Sequence, residues 1–339
     1  MKVTVEMIAR EAGVSAPTVS RALKNDRLVH PQTRARIAAV AARLGYQGRS
    51  RRGRNQTEQV RILLLVASLT PYPPNEVLLS HLQGITAEVD NTGCQLTVEQ
   101  ITDKRAGKLS DPMNLPQAVR DGEIDIIISQ GRHAPLDIAA LAAHLPVVSL
   151  QWEYPGTRVD LAESFNARGI SDLVATLAAR GHRKMAWVEE HYPASFFRDR
   201  FSGFLQGCID AGISPAEQPV LTYNQLLASE DAFLTTANQL KKDGVTALLC
   251  ATDNVAREVA LFCAGYGFRV PEDFSITGYD ASVMTLPDGK ILTSYDPCSI
   301  ELGRAALRVC LQRIAEPSSA RIIQSREGRI RHGDTVASV

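Results

Sequence analysis

The sequence predicts a small all-α head followed by a larger α/β body of two doubly wound lobes. Three observations support this fold class. Helix caps and helix breakers divide the first 46 residues into three short segments. From Val60 onward, apolar strand candidates alternate with amphipathic helix candidates. The charge changes sign between these parts, from +8 over residues 1–59 to −8 over the remainder.

The composition excludes several classes of protein. Apolar residues make up 45% and charged residues 22% of the 339 residues, which is typical of a globular protein of roughly two domains. The six cysteines form no C-x-x-C pair, so we expect reduced thiols rather than a disulfide framework or a zinc site. The apolar run Ile62–Ala67 is far shorter than the roughly 20 residues of a membrane span. The first ten residues contain no signal-peptide core. These features predict a cytoplasmic protein with no membrane partner.

Capping residues define three helices in the head. Thr4 caps the first helix, and Gly13 ends it, because glycine enters the left-handed region without strain. Ser15 caps a second helix over residues 16–23, and Pro31 opens a third. Two helices joined by the tight turn at Gly13 indicate a helix-turn-helix.

The head combines this motif with a basic charge, which favours a polyanion as its partner. The short polar side chains of Thr18 and Ser20 can contact phosphates, and those of Ala16, Pro17 and Arg21 can face base edges in the major groove. A merely solvated basic segment is the alternative. It would account for the charge but not for the ordered helix caps. The head is therefore predicted to bind double-stranded DNA.

Residues 3–46 resemble the head of the lactose-repressor (LacI/GalR) family of transcription factors. The matching segments are Val3-Thr4-Val5, Ala9-Arg10-Glu11-Ala12-Gly13-Val14-Ser15, Thr18-Val19-Ser20-Arg21-Ala22-Leu23, Thr33-Arg34 and Leu44-Gly45-Tyr46. The resemblance implies phosphate contacts from five residues, namely Thr4, Ser15, Thr18, Ser20 and Thr33. It implies sequence recognition by three, namely Ala16, Pro17 and Arg21. Lys24 departs from the family, which usually has Asn there, and is expected to add a phosphate-seeking charge.

The linker over residues 47–60 departs most from the family. The family usually forms a short hinge helix here on operator DNA, with a Leu that separates a central base step. Arg52 and Asn55 occupy the places of the family's Ala and Leu, and Gly48 and Gly53 each disfavour a helix by roughly 1 kcal/mol relative to Ala. We expect a linker that is disordered in the free protein and binds the minor groove and phosphates through arginines, including Arg49, Arg52 and Arg54. A flexible basic linker is the alternative.

Eight strand candidates and seven helix candidates alternate in the body. The strands are Arg61–Ala67, Gln95–Ile101, Ile124–Gln130, Val147–Gln151, Lys184–Glu189, Ala247–Ala251, Phe274–Tyr279 and Ile291–Tyr295. The helices are Glu76–Asp90, Leu136–His144, Ala167–Arg180, Asp199–Ala211, Gln225–Lys242, Val255–Tyr266 and Ile300–Ala315. Strands that are almost wholly apolar indicate parallel sheets covered on both faces, and such sheets bind ligands at the carboxyl ends of their strands.

The resemblance to the LacI/GalR family continues through the body. The matching positions are Asn166, Gly181-His182-Arg183, Arg200 with Gly203-Phe204, Ala251 with Asp253, Gly278-Tyr279-Asp280 and Leu292-Thr293-Ser294. The resemblance implies two Rossmann-like lobes hinged like a periplasmic sugar-binding protein. We expect a head over 1–46, a hinge over 47–60, and an effector-binding and dimerisation domain over 61–339. Its N-lobe would span about 61–162 and 296–323, and its C-lobe about 163–295 and 324–339.

The resemblance predicts a homodimeric transcriptional regulator, most simply a repressor, whose operator affinity depends on a sugar-like effector. No phosphate-binding, dinucleotide-binding or hydrolase motif occurs, and the seven histidines lack metal-ligand spacing. We therefore expect no catalysis, cofactor or metal. A DNA-tethered sugar-modifying enzyme and a DNA-binding protein with an inert body are the alternatives. Ligand titration separates them, because only a sensor changes its DNA affinity with ligand.

The effector is expected to contact polar residues at strand ends, on both sides of the cleft. Arg200 and Asp280 would both hydrogen-bond to vicinal hydroxyls of the effector from the C-lobe, where Thr252 also lies. Ser129 and Gln151 would meet the effector from the N-lobe.

Each assignment has a structural alternative. Arg200 could form a surface salt bridge, and Asp280 could cap a helix or turn. The rings of Trp152 and Tyr154 could stack on a sugar face, although a core role for Trp152 is equally consistent with the sequence. Phe165 replaces an Asp usual in the family, so the ligand could be less polar than a hexose, phosphorylated, or not a sugar.

Overall fold

A computed structural model describes residues 3–23, 29–44, 59–67, 76–190, 194–282 and 285–339. The chain divides into two compact units. One is formed by residues 1–60 with 115–124, and the other by 61–114 with 125–339.

The head contains three helices at the positions that the caps predict: α1 (Val5–Ala12), α2 (Ala16–Leu23) and α3 (Pro31–Arg43). Thr4 accepts a hydrogen bond from the Met7 backbone N–H, and Gly13 ends α1 with a φ of 62°. Ser15 Oγ accepts from the Thr18 backbone N–H at 3.3 Å and thereby caps α2. The predicted caps are therefore confirmed.

One apolar residue from each helix is fully buried in the head: Ile8, Val19 and Ile37. Glu11 on α1 pairs with Arg43 on α3 at 2.7 Å. This exposed ion pair contributes at most about 1 kcal/mol, so the shared apolar core holds the three helices together.

Twelve strands and nine further helices follow the head in the described residues. The strands are β1 (Arg61–Val66), β2 (Gln95–Gln100), β3 (Ile126–Gln130), β4 (Val147–Leu150), β5 (Asp160–Ser164), β6 (Met185–Glu189), β7 (Val220–Thr222), β8 (Ala247–Cys250), β9 (Ser275–Tyr279), β10 (Thr293–Asp296), β11 (Ile323–Arg326) and β12 (Arg329–Arg331). The helices are α4 (Glu76–Thr92), α5 (Gln117–Arg120), α6 (Pro135–His144), α7 (Asn166–Ala179), α8 (Ser195–Asp210), α9 (Tyr223–Leu226), α10 (Glu230–Lys242), α11 (Asp253–Gly265) and α12 (Ser299–Ala315).

The strands form two six-stranded sheets, one in each lobe. The first has the order β11-β5-β4-β3-β1-β2 and is parallel throughout. The second has the order β12-β10-β9-β8-β6-β7 and is parallel except for β12, which runs antiparallel to β10. The two doubly wound lobes that the sequence predicts are therefore present.

The chain passes between the two sheets three times. Strand β5 belongs to the first sheet and ends at Ser164. Strand β10 belongs to the second sheet and ends at Asp296. On the return, Ile323–Arg326 pairs with β5 in the first sheet before Arg329–Arg331 joins the second. These strands are short, and those on the return are sheet edges with mixed polarity, so apolar periodicity did not mark their ends.

The predicted single helix over Gln225–Lys242 is wrong, because α9 ends at Leu226 and α10 begins at Glu230. Ser229 accepts a hydrogen bond from the Ala232 backbone N–H at 3.2 Å and starts the second helix. The sequence prediction also missed strands β5, β7, β11 and β12. All four are short, and β7, β11 and β12 contain half-exposed positions.

Helices α4 and α12 pack closely through two glycines in the first lobe. A Cβ atom at Gly84 would overlap the carbonyl oxygen of Ile300, and one at Gly303 would overlap that of His81. Further along α12, Arg313 forms a bidentate ion pair with Asp160 at 2.7 and 2.8 Å, so α12 is tied to β5. None of the described helices is long and apolar enough to cross a membrane.

Candidate DNA-binding and effector sites

The start of α2 presents small and basic side chains to solvent. Ser15, Pro17 and Arg21 are exposed, whereas Val19 and Ala22 point into the head core. Ser15 Oγ and Thr18 Oγ1 lie 2.7 Å apart and are therefore linked before any phosphate binds. A phosphate oxygen can replace this contact, because each hydroxyl has donor and acceptor capacity.

The other predicted DNA-binding residues differ in how far the structure describes them. Thr4 is exposed beside the first turn of α1, Ala16 and Thr33 are half-buried, and the backbone of Ser20 lies in α2. Four residues lie outside the described residues: Lys24, Arg49, Arg52 and Arg54. The expected disorder of the hinge and its contacts with DNA therefore stay predictions.

Each sheet of the body has a topological switch point, where successive strands are added on opposite sides of a central strand. In the first sheet β2 lies on one side of β1 and β3 on the other. In the second, β7 and β8 flank β6 in the same way. Ligands of open α/β sheets bind beyond the carboxyl ends of the strands at such points.

Arg200 is the most extensively bonded side chain near these strand ends. It projects from α8, is 3% exposed, and donates from Nε to Asn166 Oδ1 at 3.0 Å. Its Nη1 donates to the carbonyl oxygen of Ala251 at 2.7 Å, and its Nη2 to Asp280 Oδ1 at 2.9 Å. The guanidinium therefore joins α7, the end of β8 and the end of β9. The surface salt bridge considered from the sequence is wrong, since Arg200 is buried and only Asp280 is partly exposed.

An aromatic residue supports the guanidinium from one face. The Cζ atom of Arg200 lies 3.6 Å from the ring centroid of Tyr279, a cation–π distance. The hydroxyl of Tyr279 lies 3.2 Å from Ser164 Oγ, and Ser164 in turn hydrogen-bonds the side chain of Gln151. One continuous network thus runs from the N-lobe through the crossing at Ser164 to Arg200.

Asp280 follows β9 in a backbone conformation that is rare for a non-glycine residue. Its φ is 110°, and the next residue, Ala281, has a φ of 48°. Burial raises the pKa of Asp280, and the neighbouring Arg200 guanidinium opposes that rise. The side chain keeps 17% of its surface exposed, so a carboxylate oxygen can still accept a hydrogen bond from a ligand. Backbone strain of this kind clusters at binding sites.

The other three predicted effector residues have different surroundings. Thr252 is buried and caps α11, and its hydroxyl lies 3.4 Å from a carboxylate oxygen of Glu190. Gln151 has a φ of 65° and holds Ser164 through its amide. Ser129 is fully buried within β3, and its Oγ has no hydrogen-bond partner among the described residues. Thr252 and Ser129 are therefore less exposed than Asp280.

Aromatic residues from the two lobes meet in the loop that follows β4. The Trp152 ring packs edge-on against Phe196 of α8, with centroids 5.1 Å apart. The Glu153 backbone N–H donates to Ser195 Oγ at 3.2 Å. Tyr154 is buried, and its hydroxyl accepts from the His133 backbone N–H, so its ring is a core element.

Sequence reasoning overlooked four polar residues, of which three lie at or directly after strand ends and the fourth, His81, lies in α4. Tyr279 stood in the matching motif but was given no role, and His81, Gln130 and Glu190 were not singled out. The end of the strand Ile126–Gln130 would have indicated Gln130 as a candidate, because Gln130, and not Ser129, is its last residue.

Comparison with known proteins identifies both parts of the chain. Residues 4–48 match the model of the lacI family of bacterial regulatory proteins, and residues 174–336 match a periplasmic binding protein-like domain. The chain is 24% identical over 325 residues to the HTH-type transcriptional repressor PurR of Photobacterium profundum, and 94% of each chain is covered.

Solved structures share the fold. The complex of the transcriptional regulator CelR with cellobiose has a TM-score of 0.68 at 20% identity, covering 98% of this chain and 100% of that one. The lac repressor dimer bound to operator and the anti-inducer ONPF has a TM-score of 0.62 at 21% identity, with 100% of both chains covered. The matched head, the matched body and the full-length relatives agree. The chain belongs to the lacI family of bacterial regulatory proteins, and it is a DNA-binding transcriptional regulator.

Proposed function

We propose that the protein is a homodimeric repressor that binds a pseudo-palindromic operator and is controlled by a sugar or sugar derivative between its lobes. The ion pair between the buried Arg200 and the partly exposed Asp280, at the carboxyl ends of the second sheet, is the observation that carries the effector half of this proposal. The pair presents a fixed carboxylate to the cleft, and carboxylates are well suited to accept hydrogen bonds from sugar hydroxyls.

The DNA half of the proposal rests on the capped helix α2. The helix is only eight residues long, and Pro17 and Arg21 are exposed on it, so one head can read only a short stretch of bases. Two heads related by a two-fold axis would double the recognised sequence, which favours a dimer and two half-sites. We assign phosphate contacts to Thr4, Ser15, Thr18, Ser20, Lys24 and Thr33, and base contacts to Ala16, Pro17 and Arg21.

The sugar assignment is supported by the neighbours as well as by the pocket chemistry. A structural neighbour binds cellobiose, and another, from Enterococcus faecium, contains ribose. Arg200, Asp280, Thr252, Gln151 and Ser129 are the residues that we expect to contact or shape the site of such a ligand. We expect the ligand to leave the site chemically unchanged.

Two measurements test this function. Duplexes selected from a random pool on the full-length protein should share an inverted repeat, and sedimentation should give a dimer at micromolar concentration. A thermal-shift screen of sugars, sugar acids, sugar phosphates and nucleosides should then find a stabilising ligand, because a ligand at 100 times its Kd adds about 2.7 kcal/mol. A monomer, or a selected pool without a repeat, would overturn the dimeric operator. Conversion of the ligand would indicate an enzyme instead.

A further inference from the structure

We propose that the two lobes touch through an acid-sensitive contact beside their first crossing, and that proton uptake by the carboxyl groups of Glu163 and Asp199 favours the touching arrangement. The proposal goes beyond the proposed function, because it adds control by pH to a regulator that takes its effector between the lobes.

Acidic side chains from both lobes meet at this corner. Glu163 is the penultimate residue of β5, next to the crossing at Ser164, and Glu153 lies in the loop that follows β4. Asp199 belongs to α8, which packs on α7 in the C-lobe. The charge of Asp199 acts on Glu163, and the charge of Glu153 acts on Asp199. Two carboxyl groups of the N-lobe therefore face one of the C-lobe.

Neutral groups of the same segments hold the lobes together at this point. The ring of Trp152 packs edge-on against Phe196, with the centroids 5.1 Å apart. The Glu153 backbone N–H donates to Ser195 Oγ at 3.2 Å. Both contacts join the loop after β4 to the first turn of α8, so they are lost if the lobes separate here. Attraction between neutral groups and repulsion between carboxylates thus act at the same place.

Basic residues neutralise only part of the acidic charge. Arg321 Nη1 lies 3.2 Å from Glu153 Oε1 and forms an ion pair with it. Neither Glu163 nor Asp199 forms an ion pair with any residue that the structure describes. Arg198, the neighbour of Asp199 on α8, is exposed to solvent, so its charge is screened. The carboxylates of Glu163 and Asp199 therefore repel each other across the contact when both are ionised.

The ionisation of both groups is shifted in the direction that this arrangement requires. Burial raises the pKa of Glu163, and the charges of Asp199 and Glu153 raise it further. Hydrogen bonding from Ser325 and the charge of Arg321 oppose this rise. Burial also raises the pKa of Asp199, and the Glu153 charge adds to the rise while the adjacent arginine opposes it. The parts that come from the opposite lobe exist only while the lobes touch. The touching form therefore binds a proton more tightly than the separated form, and falling pH favours it.

Fluorescence of Trp152 in the full-length protein reports the contact without effector or DNA. As the pH falls from 7.5 to 5.5, quenching of Trp152 by acrylamide should decrease and its emission should move to shorter wavelength, because its ring then packs on Phe196 more of the time. Trp152→Phe should abolish this change. The remaining tryptophan, Trp187, is buried in the core of the C-lobe and serves as the constant background.

Variants that keep the shape of the carboxyl groups identify the titrating residues. Glu163→Gln should already show, at pH 7.5, the weak quenching that the unmodified protein shows at pH 5.5, and it should lose the response to pH. Asp199→Asn should do the same from the opposite lobe. Asp210→Asn is the matched control on the other end of α8, where the carboxylate accepts from Gln206 Nε2 at 2.7 Å. This variant should keep the full response.

A merely structural role predicts a different result. If Glu163→Gln and Asp199→Asn exposed Trp152 further at pH 7.5, or kept the pH response of the unmodified protein, the two carboxyl groups would not control the contact and the proposal would be refuted. A pH-independent Trp152 in the unmodified protein would refute it as well, and would leave the proposed function untouched. Conversely, a failed effector screen would leave a pH-dependent contact standing, because Trp152 is measured without effector.

Discussion

Arg200 Nη2 donates a 2.9 Å hydrogen bond to Asp280 Oδ1, although 80 residues separate the two in sequence. The contact joins α8 to the end of β9, and the Tyr279 ring supports the guanidinium at 3.6 Å. Because Asn166 and the Ala251 carbonyl hold the other edges of Arg200, the Asp280 carboxylate is fixed before any ligand arrives. A site fixed in advance loses less entropy on binding.

Removal of the guanidinium should therefore affect both binding and stability. Arg200→Ala leaves the partly buried Asp280 without its cation, and we expect a loss of about 3 kcal/mol in the free energy of unfolding, with loss of the effector response. Asp280→Asn should weaken effector binding less, because an amide oxygen still accepts one hydrogen bond. Urea unfolding and calorimetry measure the two effects. Normal effector affinity in Arg200→Ala would locate the pocket elsewhere.

Sequence recognition should depend on Arg21 and general affinity on Lys24. Arg21→Ala should cost roughly 1–3 kcal/mol on the selected operator and little on random DNA. Lys24→Ala should weaken binding to both and reduce the salt slope by about one. Anisotropy titrations at several salt concentrations separate the two roles. Equal behaviour of the variants on both DNAs would contradict the assignment.

The hinge should bind DNA mainly through its positive charge. The double variant Arg52→Ala with Arg54→Ala should lose affinity most strongly at low salt, with the salt slope reduced by about two. Asn55→Leu restores the apolar residue that the family places in the minor groove and should increase DNA bending. Bending measured by energy transfer between labelled DNA ends reports this directly. An unchanged bend would mean that the linker does not enter the groove.

Close packing of α4 on α12 should make Gly84 intolerant of a methyl group. Gly84→Ala forces a Cβ atom onto the Ile300 carbonyl and should destabilise the protein by about 1–3 kcal/mol. Gly265→Ala in α11 is the control, since a Cβ there meets nothing within 4 Å, and it should stabilise the protein by about 0.5–1 kcal/mol. Thermal melts of both variants check the contrast, and a neutral Gly84→Ala would mean that the helices can move apart at little cost.

Acid should destabilise the protein through its buried histidines. The pKa of His81 falls from 6.5 to about 4 on folding, so below pH 6.5 the unfolded chain binds a proton that the folded chain does not. This difference amounts to about 2 kcal/mol of lost stability at pH 5. The raised pKa values of Asp280, Glu163 and Asp199 act in the opposite direction as these acids protonate. Melting curves of His81→Leu should decline less between pH 7 and pH 5 than those of the unmodified protein. Parallel declines would contradict the neutral buried state of His81.

Local chemistry made the head predictable from sequence. Thr4, Gly13 and Ser15 act within three or four residues of themselves, so their caps appear where their residue types indicate. The long apolar strands of the body were equally clear, because burial on both faces requires continuous apolar residues.

The missed features depend on contacts between distant segments. Strand β11 is a strand because it pairs with β5, more than 150 residues earlier, and its own sequence, Ile323–Arg326, is mixed in polarity. The role of Tyr279 likewise requires Arg200 and Ser164 to meet in space. The contact of the His81 ring with the Gln130 side chain depends on the order of the strands, which periodicity does not specify.

Coupling between the effector cleft and DNA is the central claim, and one titration tests it most directly. The affinity of the full-length protein for its selected operator should be measured by anisotropy at fixed salt, with and without the ligand that raises its melting temperature. We expect the ligand to change operator affinity by roughly 5–150-fold, and Asp280→Asn to shift the response to higher ligand concentration. An operator affinity that stays the same at saturating ligand would contradict the account.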